Sequence, residues 1–385
     1  MDLRPHFPAL AEGLAHFDGP GGTQVPDVVA EAVAAAYRSA VSNRHGGFAS
    51  SDRADAIVDD ARSAVADLLG ADPRGVILGP SMTANTYVLA GALAKTWGPG
   101  DEVVVSRLDH DANIRPWVQA AERAGAAVRW AEVDEQAELG TEQYVELVGD
   151  RTRLVAVTAA SNATGTKPAV AAITAIAHAA GALVHVDGVH ATPHGPVAFT
   201  ELGDFYACSA YKWYGPHLGA TVASPELLET LRPDKLLPSS DDVPDRFERG
   251  TSQFAQLVAV TATVNWLATL GTGPSRRAQL LSAMGSLRQQ EEQVFRRLLA
   301  GLDERPDVRR VGNPSRRTPT VAFLKEGETP QQTAARLAAK GVAVWAGDYY
   351  AVELMTALGL PNGAVRAGVV GYTSDDDVDR LLAAL

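Results

Sequence analysis

Leu183-Val184-His185-Val186-Asp187, followed by Phe205-Tyr206-Ala207-Cys208-Ser209-Ala210-Tyr211-Lys212, is the stretch whose reading decides the fold. Each run is short and mostly apolar, and each ends in residues able to carry charge or a hydrogen bond. Working outward, Gly75-Val76-Ile77-Leu78-Gly79, Glu102-Val103-Val104-Val105, Val128-Arg129-Trp130 and Leu154-Val155-Ala156-Val157 have the same character. Helix-forming stretches lie between them, at Ala84 to Thr96, Trp117 to Ala124 and the Ala-rich Ala171 to Ala180, which Gly181 ends. Strands of about 4–5 residues alternating with helices of about 10–15 predict a parallel α/β sheet. Such sheets bind their ligands at the carboxyl ends of strands, where Asp187 and Lys212 fall.

The chain has 385 residues, more than one hydrophobic core of roughly 250–300 residues holds. Beyond the α/β region the character changes. Arg276 to Leu302 is a long amphipathic stretch without proline, predicting a helix that bridges to a second, smaller domain. There, strands are expected at Thr320–Phe323, Val342–Trp345 and Val365–Val370, and helices at Pro330–Lys340 and Asp375–Ala384. The expected division is a large domain over 16–265 and a small α+β domain made of 1–15 and 266–385, with the connecting helix at about 275–302. Pro233 to Pro244, centred on Pro238-Ser239-Ser240-Asp241-Asp242, is the most linker-like segment.

Hydrophobic residues make up 46% and charged ones 21%, a globular balance, and the formal net charge is −12 with no Lys/Arg block. That argues against a nucleic-acid or anionic-membrane surface but leaves room for a local anion site. One cysteine excludes an intrachain disulfide and a cysteine-based metal site, and no metal is expected. The start, Met1-Asp2-Leu3-Arg4-Pro5, is polar, and the apolar runs stop short of membrane-spanning length. A soluble cytoplasmic protein is expected.

An acid at the end of a buried strand is costly unless it meets a positive partner. For Asp187 that partner could be a protonated pyridine nitrogen; a helix cap or a metal ligand reads equally from the pattern. Lys212 lies 25 residues on, past the neighbouring strand, so both side chains can reach one crevice. A lysine whose pKa is lowered by its surroundings forms an imine with an aldehyde. Gly79-Pro80-Ser81-Met82-Thr83-Ala84, between strand and helix, reads as an ordinary N-cap by Ser81 or Thr83, or as a phosphate cradle of free N–H groups. His110 follows one strand and could stand over a flat cofactor or be structural. Asn162, in Ser161-Asn162-Ala163-Thr164-Gly165, follows another and could hydrogen-bond a phenolate or make a plain turn.

Taken in order, these segments resemble the fold-type I pyridoxal phosphate enzymes, and most of all the cysteine desulfurase/selenocysteine lyase branch of the class V aminotransferases. The strongest stretches are Asp109-His110-Asp111-Ala112-Asn113-Ile114-Arg115-Pro116-Trp117, Val186-Asp187-Gly188-Val189-His190, Ser209-Ala210-Tyr211-Lys212-Trp213-Tyr214-Gly215-Pro216 and Arg246-Phe247-Glu248-Arg249-Gly250-Thr251. The resemblance implies a large domain with a mostly parallel seven-stranded sheet and pyridoxal 5'-phosphate as cofactor. Lys212 would be its Schiff-base lysine and proton carrier, Asp187 would pair with the pyridine nitrogen, and His110 would stack on the ring. Asn162 would bond the phenolic oxygen, near which His190 stands in place of a usual glutamine. Thr83, Ala84, Ser209 and Tyr211 would hold the phosphate. Thr251 would reach the phosphate of the other subunit of a homodimer, whose active sites lie at the interface. Arg366 would clamp the carboxylate of an amino-acid substrate, with Gly21 and Tyr349 beside it.

One departure matters. The desulfurase branch takes sulfur on a loop cysteine, and the corresponding stretch here is Trp345-Ala346-Gly347-Asp348-Tyr349-Tyr350. Cys208 lies on a strand expected to be buried, as an inert thiol. A C–S lyase splitting cysteine or an S-substituted cysteine by β-elimination is therefore expected. The alternatives are a racemase or epimerase, an aminotransferase or a decarboxylating deaminase of the same fold. A non-catalytic protein of that fold comes last, because Lys212, Asp187, His110 and Arg366 are all present.

Overall fold

Strands β1 (Ala15–His16), β2 (Val76–Gly79), β3 (Glu102–Ser106), β4 (Ala127–Ala131), β5 (Thr152–Thr158), β6 (Leu183–Asp187), β7 (Phe205–Ser209), β8 (Gly219–Ala223), β9 (Val308–Val311), β10 (Thr320–Lys325), β11 (Val342–Ala343), β12 (Trp345–Gly347) and β13 (Ala364–Gly368) form three sheets in the computed structural model, which describes residues 1–385. The largest has seven strands in the order β2-β8-β7-β6-β5-β3-β4. Neighbours from β7 to β4 pair in parallel, and β8 alone runs antiparallel to both its neighbours. The expected mostly parallel sheet of seven is what the chain forms.

Alternation along each strand shows why its runs are apolar on both faces. Val103, Val105, Leu154 and Ala156 pack into one cluster with Leu89 and Trp117, from the helices Met82–Leu93 and Arg115–Ala124. Val104, Val155, Val157 and Val184 point the other way, to Val65, Ile173 and Val264 of the helices Ala49–Leu69, Val170–Ala179 and Phe254–Thr269. With both faces covered, the strands read as continuous hydrophobic runs.

A second sheet, β12-β13-β10-β9, is antiparallel throughout, and β1 pairs in parallel with β11 beside it. Helix Arg276–Asp303 joins the two cores: Leu280, Met284 and Leu287 belong to the first, Val294, Phe295, Leu298 and Leu302 to the second. The N-terminal segment is shared between them. Ala15 and Phe17 join the small sheet's core, whereas Leu3, Phe7 and Leu10 join the large one. Phe7 packs against Tyr214, Trp266 and Tyr372, with ring centroids 5.6, 5.6 and 4.9 Å away. The linker-like Pro233–Pro244 does not connect the two sheets. It is an exposed crossing between the helix Pro225–Thr230 and the turn Asp245–Phe247, and the long helix makes the inter-sheet connection instead. No helix is long and apolar enough to cross a membrane.

The carboxyl edge of the large sheet carries Asp187 at the end of β6, level with Ala207 of β7, and Lys212 in the turn Ala210–Lys212 just past β7. Gly219 opens β8 against the first turn of helix Met82–Leu93, and a Cβ there would lie 2.1 Å from the Met82 nitrogen. Gly219→Ala should therefore push the helix start away from the sheet and cost about 2 kcal/mol, as overpacking does. Urea unfolding measures this, and an unchanged midpoint would contradict it.

Candidate active site

Lys212 is buried at 8% exposure, and its Nζ donates to the carbonyl of Pro20, in the N-terminal segment that crosses the cleft. Burial, helped by nearby Arg366 and opposed by Asp187, pushes the amine down to about 7. An appreciable fraction is then an uncharged nucleophile at neutral pH. Asp187 is also buried. Its Oδ1 accepts the Val189 N–H at 2.9 Å, and burial pushes the carboxyl up to about 6 against the pull of that bond and of Lys212.

His110 caps the turn Asp111–Asn113, its Nδ1 accepting the Ala112 N–H at 3.0 Å. Burial first, then Lys212 and Arg366, push it down to about 4, so its ring is neutral. That ring lies against Tyr350, with centroids 5.5 Å apart and planes at 25°. Asn162 donates its Nδ2 to the Tyr349 carbonyl at 2.8 Å, leaving Oδ1 buried without a partner. One of its two amide hydrogens is thus engaged by the loop, and the residue also lines the Lys212 cleft. His190 shares its Nε2 with Thr320 Oγ1 at 3.0 Å, and its Nδ1 is buried and unpartnered.

Arg366 arrives from the small sheet on β13. Its Nη1 donates to the Asn162 carbonyl at 2.8 Å, and its guanidinium sits 4.3 Å from the Tyr349 ring centroid. Burial lowers it to about 10, still fully charged at neutral pH. Tyr349 and Tyr350 both adopt left-handed backbone, φ 57° and 58°, a conformation that costs a side-chain-bearing residue about 1 kcal/mol or more. Three bonds hold them there: Asn162 to the Tyr349 carbonyl, the Asp111 N–H to the Tyr350 carbonyl at 2.7 Å, and the Tyr349 hydroxyl to the Ala364 carbonyl.

Thr83, His110, Asn162, Asp187, His190, Tyr211 and Lys212 line one cleft. The Tyr211 ring also stacks on His217, with centroids 4.9 Å apart. At the helix start Ser81 is the cap, its Oγ accepting the Ala84 N–H at 3.1 Å. Ala84 therefore has no free N–H to offer. Ala84 and Thr251 are not brought to the Lys212 cleft; they line a separate cavity of about 380 Å³ with Gly79 and Pro80. Ser209 is buried at the end of β7, opposite Gly219. Gly21 lies in the turn Gly19–Gly21, where a Cβ would come within 2.5 Å of Trp345 Nε1.

Residues 15–381 match the family model of class V aminotransferases. This chain belongs to the class V aminotransferase family. It is 38% identical over 388 residues to an uncharacterized protein of Mycobacterium tuberculosis, covering 100% of this chain and 97% of that one. It is 33% identical over 401 residues to a probable cysteine desulfurase of Pseudomonas aeruginosa, covering 99% and 96%. The solved cysteine desulfurase CsdA from Escherichia coli matches it with a TM-score of 0.86 at 29% identity, over 99% of this chain and 96% of that one. The class V chain described here is a pyridoxal-phosphate-dependent enzyme of cysteine desulfurase-like type.

The site chemistry fits that cofactor. A depressed amine answers an aldehyde, and a buried carboxyl with no basic side chain bonded to it answers a protonated ring nitrogen. The unpartnered His190 Nδ1 and Asn162 Oδ1 are polar atoms buried without a bond, which is costly unless something meets them. The start of helix Met82–Leu93, with Thr83, answers a phosphate.

Several residues of this class V site were not legible in the sequence. Pro20 and Thr320 act through long-range contacts that no local pattern announces. Asp109 is buried and hydrogen-bonded to Ser106 Oγ and to Asn113 Nδ2 (2.6 Å to the latter), and burial pushes it up to about 8. Asn113 Oδ1 in turn meets Trp117 Nε1 at 3.1 Å and His185 Nδ1 at 2.8 Å, tying the His110 loop to β6. The spacing Asp109, Asn113, Trp117, four and four, was the available signal.

Because only the uncharged amine attacks an aldehyde, visible colour on adding pyridoxal phosphate to the apoprotein should develop faster as pH rises through about 7. Lys212→Ala should develop none of that lysine-bound absorbance. Loading at equal rates below and above that pH would show the amine is not depressed.

Proposed function

We propose that this enzyme is a C–S lyase that cleaves an S-substituted cysteine, or cysteine itself, by β-elimination. The observation that carries the reading is the whereabouts of sulfur in the chain. Cys208, its one cysteine, is fully buried on β7, and burial pushes the thiol up to about 12. Where the branch carries its loop cysteine stand Asp348, Tyr349 and Tyr350, with Tyr350 against His110 and Tyr349 against Arg366. A thiolate is what accepts sulfur, and none is accessible; elimination of a thiol needs no acceptor.

When bound, pyridoxal phosphate supplies an electron sink for the substrate α-carbon. Lys212 would hold its aldehyde, and its Nζ, once free, would take the substrate α-proton. Its depressed pKa suits that exchange near neutrality. Asp187 would pair with the ring nitrogen and His110 would lie against the ring. Asn162, with its second amide hydrogen, and His190 would meet the phenolic oxygen. Thr83, with Ser209 and Tyr211, would hold the phosphate. Arg366, fixed by Asn162 and Tyr349, receives the substrate carboxylate. Loss of the thiolate from the β-carbon, protonation of that thiolate and addition of water give thiol, pyruvate and ammonia. Thr251, away from the cleft of its own chain, is suited to serve a second subunit's phosphate in a homodimer.

Incubation of holoenzyme with a panel of S-substituted cysteines should release pyruvate and the matching thiol in equal amounts. Absence of pyruvate from every member sinks the elimination reading, and α-deuterium in unconsumed substrate from D₂O would point to racemisation. Arg366→Lys keeps the charge but loses the paired donors. It should raise KM for the amino acid by about tenfold or more with a smaller change in kcat, and equal falls in kcat and kcat/KM would place Arg366 elsewhere.

A further inference from the structure

Behind the cleft lies a buried group that the chemistry above does not use. His194 ends the turn Thr192–His194, four residues after His190, and its Nδ1 is 2.7 Å from Glu291 Oε2. Glu291 comes from helix Arg276–Asp303, where it is the one charged side chain among the buried residues. The pair is 4% and 1% exposed. A buried carboxyl–imidazole pair adds little stability over apolar packing, so its presence asks for another reason.

The His194 and His190 rings meet edge to face, with centroids 5.3 Å apart and planes at 70°. A carboxylate at Nδ1 fixes the His194 proton on that nitrogen and with it the ring's orientation. On its other side His190 is held by Thr320 of β10, through Nε2. The Thr320 hydroxyl can donate to Nε2, which leaves the His190 proton on Nδ1. That nitrogen is the single polar side-chain atom of His190 left without a partner.

We propose that Glu291, His194 and Thr320 are positioning residues that hold His190 with its Nδ1–H turned to the phenolic oxygen of the cofactor. This rests on the reading of His190 as a neighbour of that oxygen. The groups facing His190 are consistent with a neutral donor. His194 on its own segment, Lys212 after β7 and Arg366 on β13 all disfavour a second charge there, and burial acts in the same direction. Glu291 faces His194 and, on its own helix, Glu292, with Tyr214 also near. Burial raises the Glu291 carboxyl above its ordinary range, against the pull of the His194 bond.

The test uses holoenzyme labelled with ¹⁵N-histidine, read by imidazole shifts and by the pH titration of the visible absorbance of the lysine-bound cofactor. Unmodified enzyme should show His190 as one neutral Nδ1–H form. Glu291→Gln and Thr320→Val should each mix the His190 tautomers and move the apparent pKa of the visible band by about half a unit or more, and His190→Ala should move that band as well. If His190→Ala moves the band and neither of the others does, the positioning role is overturned while the placement of His190 stands. If His190→Ala leaves the band unmoved, the placement itself fails and the proposal with it. Thermal unfolding of each apoprotein checks folding; should Glu291→Gln not fold, His194→Gln is read in its place, and an unmoved band there overturns the proposal.

Discussion

An amine and a carboxyl buried at one edge of the same sheet set the terms for the rest of this molecule. Lys212 and Asp187 are each almost free of solvent, and burial drives their pKa values toward one another, to about 7 and about 6. Neither has a bonded counterion in the chain. Burying such groups costs several kcal/mol unless something is gained. In the proposed reaction the gain is reactivity: a lysine nucleophilic near neutrality and an acid ready for a cationic ring. The doubly covered sheet exists, in this sense, to keep that edge dry.

What closes the edge is the second sheet. Arg366 reaches over from β13 to the Asn162 carbonyl, and Tyr349 is trapped between that guanidinium and the Asn162 amide. The loop carrying Tyr349 and Tyr350 stays in left-handed backbone because bonds from both sheets hold it there. Pro20, on the segment that continues β1 and packs beside Gly368 of β13, takes the Lys212 proton donor. The cleft is thus assembled from remote parts of the chain, and its shape depends on how the long helix Arg276–Asp303 sets the two cores against each other.

Much of this was legible in advance, for definite reasons. The parallel sheet followed from short doubly apolar runs spaced by helices, because covering both faces leaves no polar alternation. Asp187 and Lys212 were visible because a charge at the end of a buried strand stands out from its neighbours. The bridging helix followed from a long stretch without proline. Less was legible at the phosphate end: Ser81 turned out to be the cap, and Ala84 has its N–H engaged. Which of several adjacent hydroxyls caps a helix depends on backbone angles that the sequence does not print.

The sequence by itself determined the fold class, the lysine and its acid, and the lack of an accessible thiol, because each depends on residue identity along one strand or on a count. Tertiary structure decided what those residues meet. It set Thr320 against His190, Glu291 against His194 across 97 residues, and Asn162 between the tyrosine loop and the cleft. Such contacts join segments far apart in sequence, and their geometry is fixed only when the two cores pack.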